Sequence, residues 1–307
     1  MLTYPIPGST LTGSATLAQA LAFLKSPTQI ARRFAEILSD HNFLAHYLLR
    51  GQYTMSGGAI SITNEGVTTG GNIETVAPGG EYPMLALPSD TATLVAALKK
   101  GLGTEVVDEQ VGRLLMDPVE RAIQLLAFQT VSDFDAAALS AISAAITQTV
   151  ACSAFTAGTA IVTGVETAKA TLKALKKGYR ATSVVLTSAQ WAAIASPLLS
   201  ILPREAGNPL LSGGVPNILE LDWVTSDDLP AGWVPKVVDA NTLGGIGHEN
   251  IPSPEYVSLS SIADNKSNVE VARFREKNDS TRIQVRKADV PVVRNADAGL
   301  SLTGTGL

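Results

Sequence analysis

The stretch DPVERAIQLLAFQTVSDFDAAALSAISAAI, residues 117–146, decides the fold. Its first residues read as a helix start. Asp117 can accept the orphan amide hydrogens of the first turn, Pro118 brings a preset φ suited to the first helical position, and Glu120 sets a negative charge on the positive end of the dipole. Downstream, Val119, Ile123, Leu126, Phe128, Val131, Phe134, Ala138, Leu139 and Ile142 fall on more than one face, so the helix is expected to be covered on several sides. At ~1.5 Å per residue it spans roughly 40 Å, long for a globular domain. A beam of that length implies a structure for it to brace.

The chain has 307 residues, 45% of them hydrophobic, enough for a sizeable core in one large or two ordinary domains. A formal charge of −5 speaks against a sequence-wide nucleic-acid binder, because neutralising phosphates takes clustered Lys and Arg. Cys152 is the single cysteine, which excludes an internal disulfide framework and points to reducing conditions. A metal site would have to draw on His41, His46, His248 and carboxylates, and the spacing of His41 and His46 does not place them on one helix face. No basic region precedes Gly8-Ser9-Thr10, so no signal peptide is expected. The long uncharged run between Asp135 and Glu166 is rich in Ala, Ser and Thr and reads as soluble rather than membrane-spanning.

On the N-terminal side of the long helix, helical spacing covers Ala18–Leu24 and Ile30–Leu49. Between Gly51 and Pro88 glycines punctuate candidate strands at Ala59–Thr63, Asn72–Val76 and Tyr82–Leu87, a long hairpin-like excursion. An apolar run from Thr91 is expected to turn at Lys99-Lys100-Gly101, and a short helix over Asp108–Leu115 leads into the long one. On the other side, a helix over Val165–Lys177 stops at Lys177-Gly178, Ser183–Leu186 reads as a buried strand, and Thr187 with Gln190 forms a capping box. A loop over 196–216 and strands at Ile218–Thr225 and Trp233–Val238 complete an α/β unit. Val269–Arg275 and Arg282–Arg286 alternate as a strand pair, and Val290–Val293 and Leu300–Thr303 end the chain as strands.

The search for chemistry returns little. Gly244-Gly245-Ile246-Gly247 lacks the following helix that a phosphate loop needs and reads as a turn between strands. Asp227-Asp228 sits in a turn that favours Asp for its own backbone bonding, and no Gly-x-Ser-x-Gly elbow occurs. Cys152 reads as a structural thiol, Lys169, Lys173, Lys176 and Lys177 as a solvated helix face, and Trp191, Trp223 and Trp233 as core or interface anchors. No catalytic, cofactor-binding or metal-binding residue is assigned. What stands out is charge. From Gly51 to Leu98 there is no Lys or Arg, only Glu65, Glu74, Glu81 and Asp90, whereas residues 270–294 hold seven basic residues against four acidic ones. A projecting acidic arm and a basic strand pair suggest docking between copies, with Glu65, Glu74 and Glu81 against Arg273, Arg275, Arg282 and Arg286.

A polar arm, a glycine-rich loop ending Val76-Ala77-Pro78-Gly79-Gly80-Glu81-Tyr82-Pro83, a helix at Asp108-Glu109-Gln110 and then the long helix follow one another. This order of parts resembles the major capsid proteins of tailed bacteriophages, with the Hong Kong 97 phage fold. Ser183-Val184-Val185-Leu186-Thr187, Gly214-Val215-Pro216, Leu221-Asp222-Trp223-Val224-Thr225-Ser226 and Ala288-Asp289-Val290-Pro291-Val292-Val293 are similar to forms from phages of actinobacteria. The likeness covers nearly the whole chain. It implies an α+β fold with an N-terminal arm (1–46), extension loop (47–92), peripheral domain with spine helix (93–150), axial domain (151–261), peripheral return strands (262–287) and axial return (288–307). It further implies self-assembly as hexamers and pentamers into an icosahedral virion shell, built in the host bacterial cytoplasm and enclosing double-stranded DNA through non-specific contact. Partners implied are the portal protein, a separate scaffolding protein and protease, and a decoration protein, with no membrane, no cofactor and no enzymatic activity. Some family members weld the shell by an isopeptide bond from a loop lysine; the missing lysines from Gly51 to Leu98 predict a non-covalent shell here. An encapsulin compartment of the same fold, and a separate α/β enzyme, are the alternatives.

Overall fold

The computed structural model describes residues 16–40, 44–63, 75–82, 84, 92–200, 217–259 and 269–307. The chain opens with helices α1 (Leu17–Lys25), α2 (Pro27–Asp40) and α3 (Leu44–Leu48), then strands β1 (Gly51–Met55), β2 (Ala59–Ile62), β3 (Thr93–Ala96) and β4 (Leu98–Val107). Helices α4 (Asp108–Leu114) and α5 (Asp117–Ala145) follow, then β5 (Thr149–Ala151), α6 (Gly158–Ala174), β6 (Ser183–Leu186) and α7 (Ser188–Leu199). The rest is β7 (Asn217–Ile218), β8 (Leu221–Thr225), β9 (Lys236–Val238), β10 (Gly244–Glu249), β11 (Tyr256–Ser258), β12 (Glu270–Arg275), β13 (Ser280–Val293) and β14 (Gly299–Thr303).

Helix α5 confirms the long beam but not its expected cap. Asp117 is already helical; the residue before it, Met116, makes no side-chain cap bond, and the Glu120 N–H donates to the Met116 carbonyl at 2.9 Å. The cause is the close junction with α4, which ends at Leu115 in a left-handed conformation (φ 57). Glu120 is buried, and Arg33 of α2 ion-pairs with it, so its carboxylate serves a helix–helix contact as well as the dipole. By length and composition alone α5 could cross a membrane. In this fold it is a core helix, packed on β13, β4, α2, α3 and α4 through Val119, Ile123, Leu126, Ala138, Leu139 and Ile142.

The first sheet runs β1-β10-β13-β12-β11, with β4 along the other side of β13. Because side chains alternate, Ile283, Val285, Lys287 and Asp289 of β13 share one face, and β4 adds Leu98, Lys100, Leu102, Thr104 and Val106 in register beside them. Helix α5 lies on this face, as the burial of Ile283, Val285 and Val106 in its core shows. The second sheet runs β5-β14-β9-β6-β8-β7 under α6 and α7. All four residues of β6 are buried, and the capping box of Thr187 and Gln190 forms as expected. Trp223 and Trp233 are buried, their indole N–H groups bonded to the carbonyls of Ile218 and Val185, both at 3.1 Å. The β2–β3 ribbon stands apart from both sheets.

Three expectations need correction. Lys99-Lys100-Gly101 is no turn: β4 runs straight through it, paired with β13 from Leu98 opposite Asp289 to Val107 opposite Ser280. The glycine run at 244–247 is strand β10, not a turn between strands. Its glycines admit a close approach of backbones: a Cβ at Gly244 would sit 2.1 Å from the Val292 carbonyl oxygen, and one at Gly245 2.4 Å from that of Gly51. Arg282–Arg286 and Val290–Val293 are one unbroken strand, so the expected boundary at 287/288 falls inside β13. The expected strand Tyr82–Leu87 lies mostly outside the described residues, as do His41, residues 72–74 of the Asn72–Val76 strand and residues 201–216 of the loop.

Candidate assembly interface

Of the residues singled out for contact between copies, the arginines divide between the two faces of the β12–β13 pair: Arg273 and Arg275 stand opposite Ile283 and Thr281, and Arg282 and Arg286 opposite Phe274 and Glu270. Glu65 and Glu74 lie outside the described residues. Glu81 is exposed, beside Tyr82 at 82% and Met84 at 97% exposure. A turn at Pro78-Gly79, where Gly79 has φ 83, presents this tip.

The arginines of the strand pair already have partners within the chain. Arg286 is buried on the sheet face away from α5: it ion-pairs with Glu270, donates to the Ile251 carbonyl at 2.6 Å and lies 3.7 Å from the centre of the Tyr256 ring. Arg275 forks onto Asp108 at the start of α4, one bond measuring 2.7 Å, and this holds the Asp108 carboxyl below its ordinary range. Arg282 reaches Glu276 at 3.2 Å. Arg273 is half-buried with its Nε unpartnered. Charge counting along the sequence could not see these pairs, because the ones to Asp108 and Ile251 depend on the sheet being assembled.

Missed at the sequence level is the free basic and apolar row on β4. Down the α5-facing side, exposure climbs from 2% at Val106 through 46% at Leu102 to 66% at Leu98, so α5 covers one end of the strand and leaves the other bare. Lys100 stands exposed between Leu98 and Leu102 and forms no ion pair among the described residues. The alternation of Leu98, Lys100 and Leu102 was the available signal, hidden because Lys-Lys-Gly looks like a turn.

A second arrangement missed in the sequence is a buried ionic joint where α3, α5 and β13 meet. Asp135 of α5, 4% exposed, accepts from the N–H groups of Leu44 at 3.1 Å and Ala45 at 2.9 Å, and so caps the first turn of α3. Burial is the main cause that pushes its carboxyl up to about 6, against the pull of those two bonds; Asp228 adds to the rise and Lys287 opposes it. Lys287 lies under α5, 2.8 Å from Asp289 and 3.4 Å from the centre of the Phe134 ring. Burial pushes the Lys287 ammonium down and the Asp289 carboxyl up, the two tempering each other by their opposite charges. From the far side of α3, Tyr47 donates to Asp222 of β8, and Arg50 reaches Asn241 at 2.7 Å. This short helix therefore ties the first sheet and its spine to the second sheet. Cys152 is half-buried, and burial raises its thiol above the ordinary range.

The described residues form a spine helix, two six-stranded sheets and a separate two-stranded ribbon. A family model described as phage capsid protein matches residues 90–301. No curated protein matches the chain. Among solved structures it is similar to a virus-like particle from Pyrococcus furiosus, at 10% identity over 90% of this chain and 98% of that one, with a TM-score of 0.57. A structure from Microbacterium phage Oxtober96 is similar at 13% identity over 85% and 90%, with a TM-score of 0.54. The SrpI encapsulin of Synechococcus elongatus is similar at 10% identity over 85% and 86%, also with a TM-score of 0.54. At these identities the structures speak for the shared fold, the Hong Kong 97 type, and the family model, matching well over half of the chain, speaks for descent. The chain belongs to the phage capsid protein family.

Proposed function

We propose that this structural shell protein is the major capsid protein of a tailed phage, self-assembling as hexamers and pentamers into an icosahedral head around double-stranded DNA. The observation that carries the reading is the projecting arm. The β2–β3 ribbon is too small to stand alone in water; it presents Leu94 at 72% exposure, and the segment between its strands presents Tyr82 at 82% and Met84 at 97%, large apolar groups that the subunit does not cover. A neighbouring copy would cover them.

In this reading α5 stiffens one tile, the part of the segment 47–92 beyond β1 reaches over the next, and the α6–α7 sheet lies toward the axes of the capsomers. Docking of Glu65 and Glu74 on a neighbour's strand pair belongs to the same reading. Arg275 and Arg282 keep side chains 42% and 44% exposed and can exchange partners, whereas Arg286 would stay with Glu270. Portal, scaffolding protein, protease and decoration protein are the partners such a shell would use, with DNA met through non-specific contact.

The encapsulin compartment is the second reading, supported by a fold likeness equal to that with the Microbacterium phage structure. The family model favours the phage. Nucleic acid extracted from particles of the native source tests the choice: genome-length DNA supports the head, and a protein cargo without DNA supports the compartment. Because Gly51–Leu98 holds no lysine, denatured particles should run as single chains in mass measurement; a ladder of linked subunits would contradict the non-covalent shell.

A further inference from the structure

We infer that the exposed stripe Arg121-Leu125-Gln129-Asp133 of α5 packs antiparallel on the same stripe of a second copy across a twofold axis, joining spine to spine; this rests on the shell reading. A closed icosahedral shell has twofold axes, and a contact across one is made by a surface complementary to itself. The first sheet, α2, α3 and α4 cover α5, yet Asp117, Arg121, Leu125, Gln129 and Asp133, each one helical turn from the next, all stay exposed. Leu125, at 60% exposure, is the large apolar group in the middle of that row.

Charge sets the direction and the register. Arg121 is the only basic residue on α5, and it forms no ion pair among the described residues. Asp133 accepts from Gln129 Nε2 at 3.0 Å and meets no cation among them. The other charges of the region are placed elsewhere: Glu120 is buried on Arg33, Asp135 is buried on α3, and Glu109 and Arg113 of α4 face each other at 3.9 Å. A parallel pair of helices would set Arg121 against Arg121. In the antiparallel pair with the axis at the level of Ala127, Arg121 meets Asp133 of the second copy twice, Leu125 lies on Gln129 twice, and Asp117 falls beside the uncharged Ala137. Sliding the helices to stack Leu125 on Leu125 would set Asp117 against Asp133 and leave Arg121 on Gln129. Opposed helix dipoles favour the antiparallel arrangement as well.

The test co-assembles two full-length chains in a Cys152→Ala background, one carrying Leu125→Cys and the other Gln129→Cys. Oxidised shells should give a dimer of one chain of each kind on a non-reducing denaturing gel, and either chain alone should give monomers. Mixed shells that yield only monomers, or dimers from Leu125→Cys alone, overturn the pairing. If the cysteine chains do not assemble, charge reversal decides. Arg121→Glu puts a carboxylate near the N-terminal end of the helix, where the dipole accepts it, and should lower shell yield at least about tenfold because each contact gains two like-charge meetings. Adding Asp133→Arg should restore the yield. Loss without that rescue, or shells from Arg121→Glu at the wild-type yield, overturns the pairing while leaving the shell reading intact. Wild-type protein that never assembles sinks the shell reading, and the pairing with it.

Discussion

Asp135 makes the stability of the subunit depend on pH in a direction opposite to that of an ordinary carboxylate. Its folded pKa of about 6 lies above the ordinary 3.8, so the folded chain binds this proton more tightly than the unfolded chain does. The stability contributed by protonation is fully present below pH ~3.8 and is lost as pH rises through ~6. A rise of that size corresponds to about 3 kcal/mol, a large fraction of the stability of a typical domain. Asp135→Asn keeps the shape and one acceptor for the Leu44 and Ala45 N–H groups, and removes the charge. It relieves the buried charge at neutral pH and leaves one backbone donor poorly matched, a loss of about 1–3 kcal/mol. The two effects offset, and the variant is expected within about 2 kcal/mol of wild type at pH 7. The assay is urea unfolding of unassembled subunits from pH 4 to 7.5, read as the difference between wild type and Asp135→Asn. That subtraction cancels groups remote from the joint, such as Asp108, whose carboxyl is lowered. Relative to the variant, wild type should lose about 3 kcal/mol as pH rises across the window. A flat difference curve, or one in which wild type gains, would refute the reasoning.

Two substitutions probe the frame around that joint. Glu120→Gln removes the buried one of the two carboxylates on Arg33, which is 17% exposed and keeps the exposed Glu36 at 3.0 Å, and should cost about 1–3 kcal/mol of the stability of the unassembled subunit in urea; a loss under ~0.5 kcal/mol would mean the α2–α5 contact does not depend on it. Gly245→Ala puts a Cβ where the Gly51 carbonyl stands, so β1 should lose its place on β10, with a cost near the upper end of overpacking, about 3 kcal/mol, and faster hydrogen exchange at 51–55; an unchanged exchange pattern would contradict it.

What the sequence could show depended on whether the deciding interaction was local. The α5 beam was legible because its apolar residues recur at helical spacing over the 29 residues of the helix, and α7 because Thr187 and Gln190 cap it from three positions apart. Strand β10 was not, because its glycines answer to the backbones of β1 and β13, far away in the chain. The same holds for the ionic joint: Asp135 meets α3 across 90 residues, and on the sequence it is one acid within an apolar stretch. Of the assembly surface, the acidic arm was visible as a run without cations. Which arginines of the strand pair stay available was not, because composition records charges and the fold decides which of them, like Arg286 on Glu270, are already paired.

The central claim is that this chain is one tile of a closed shell. Electron cryomicroscopy of the purified assembly tests it most directly. The account predicts closed particles with icosahedral symmetry, in which each arm lies across an adjacent copy; a field of compact monomers, or of small oligomers with the arm folded back on its own subunit, would contradict it.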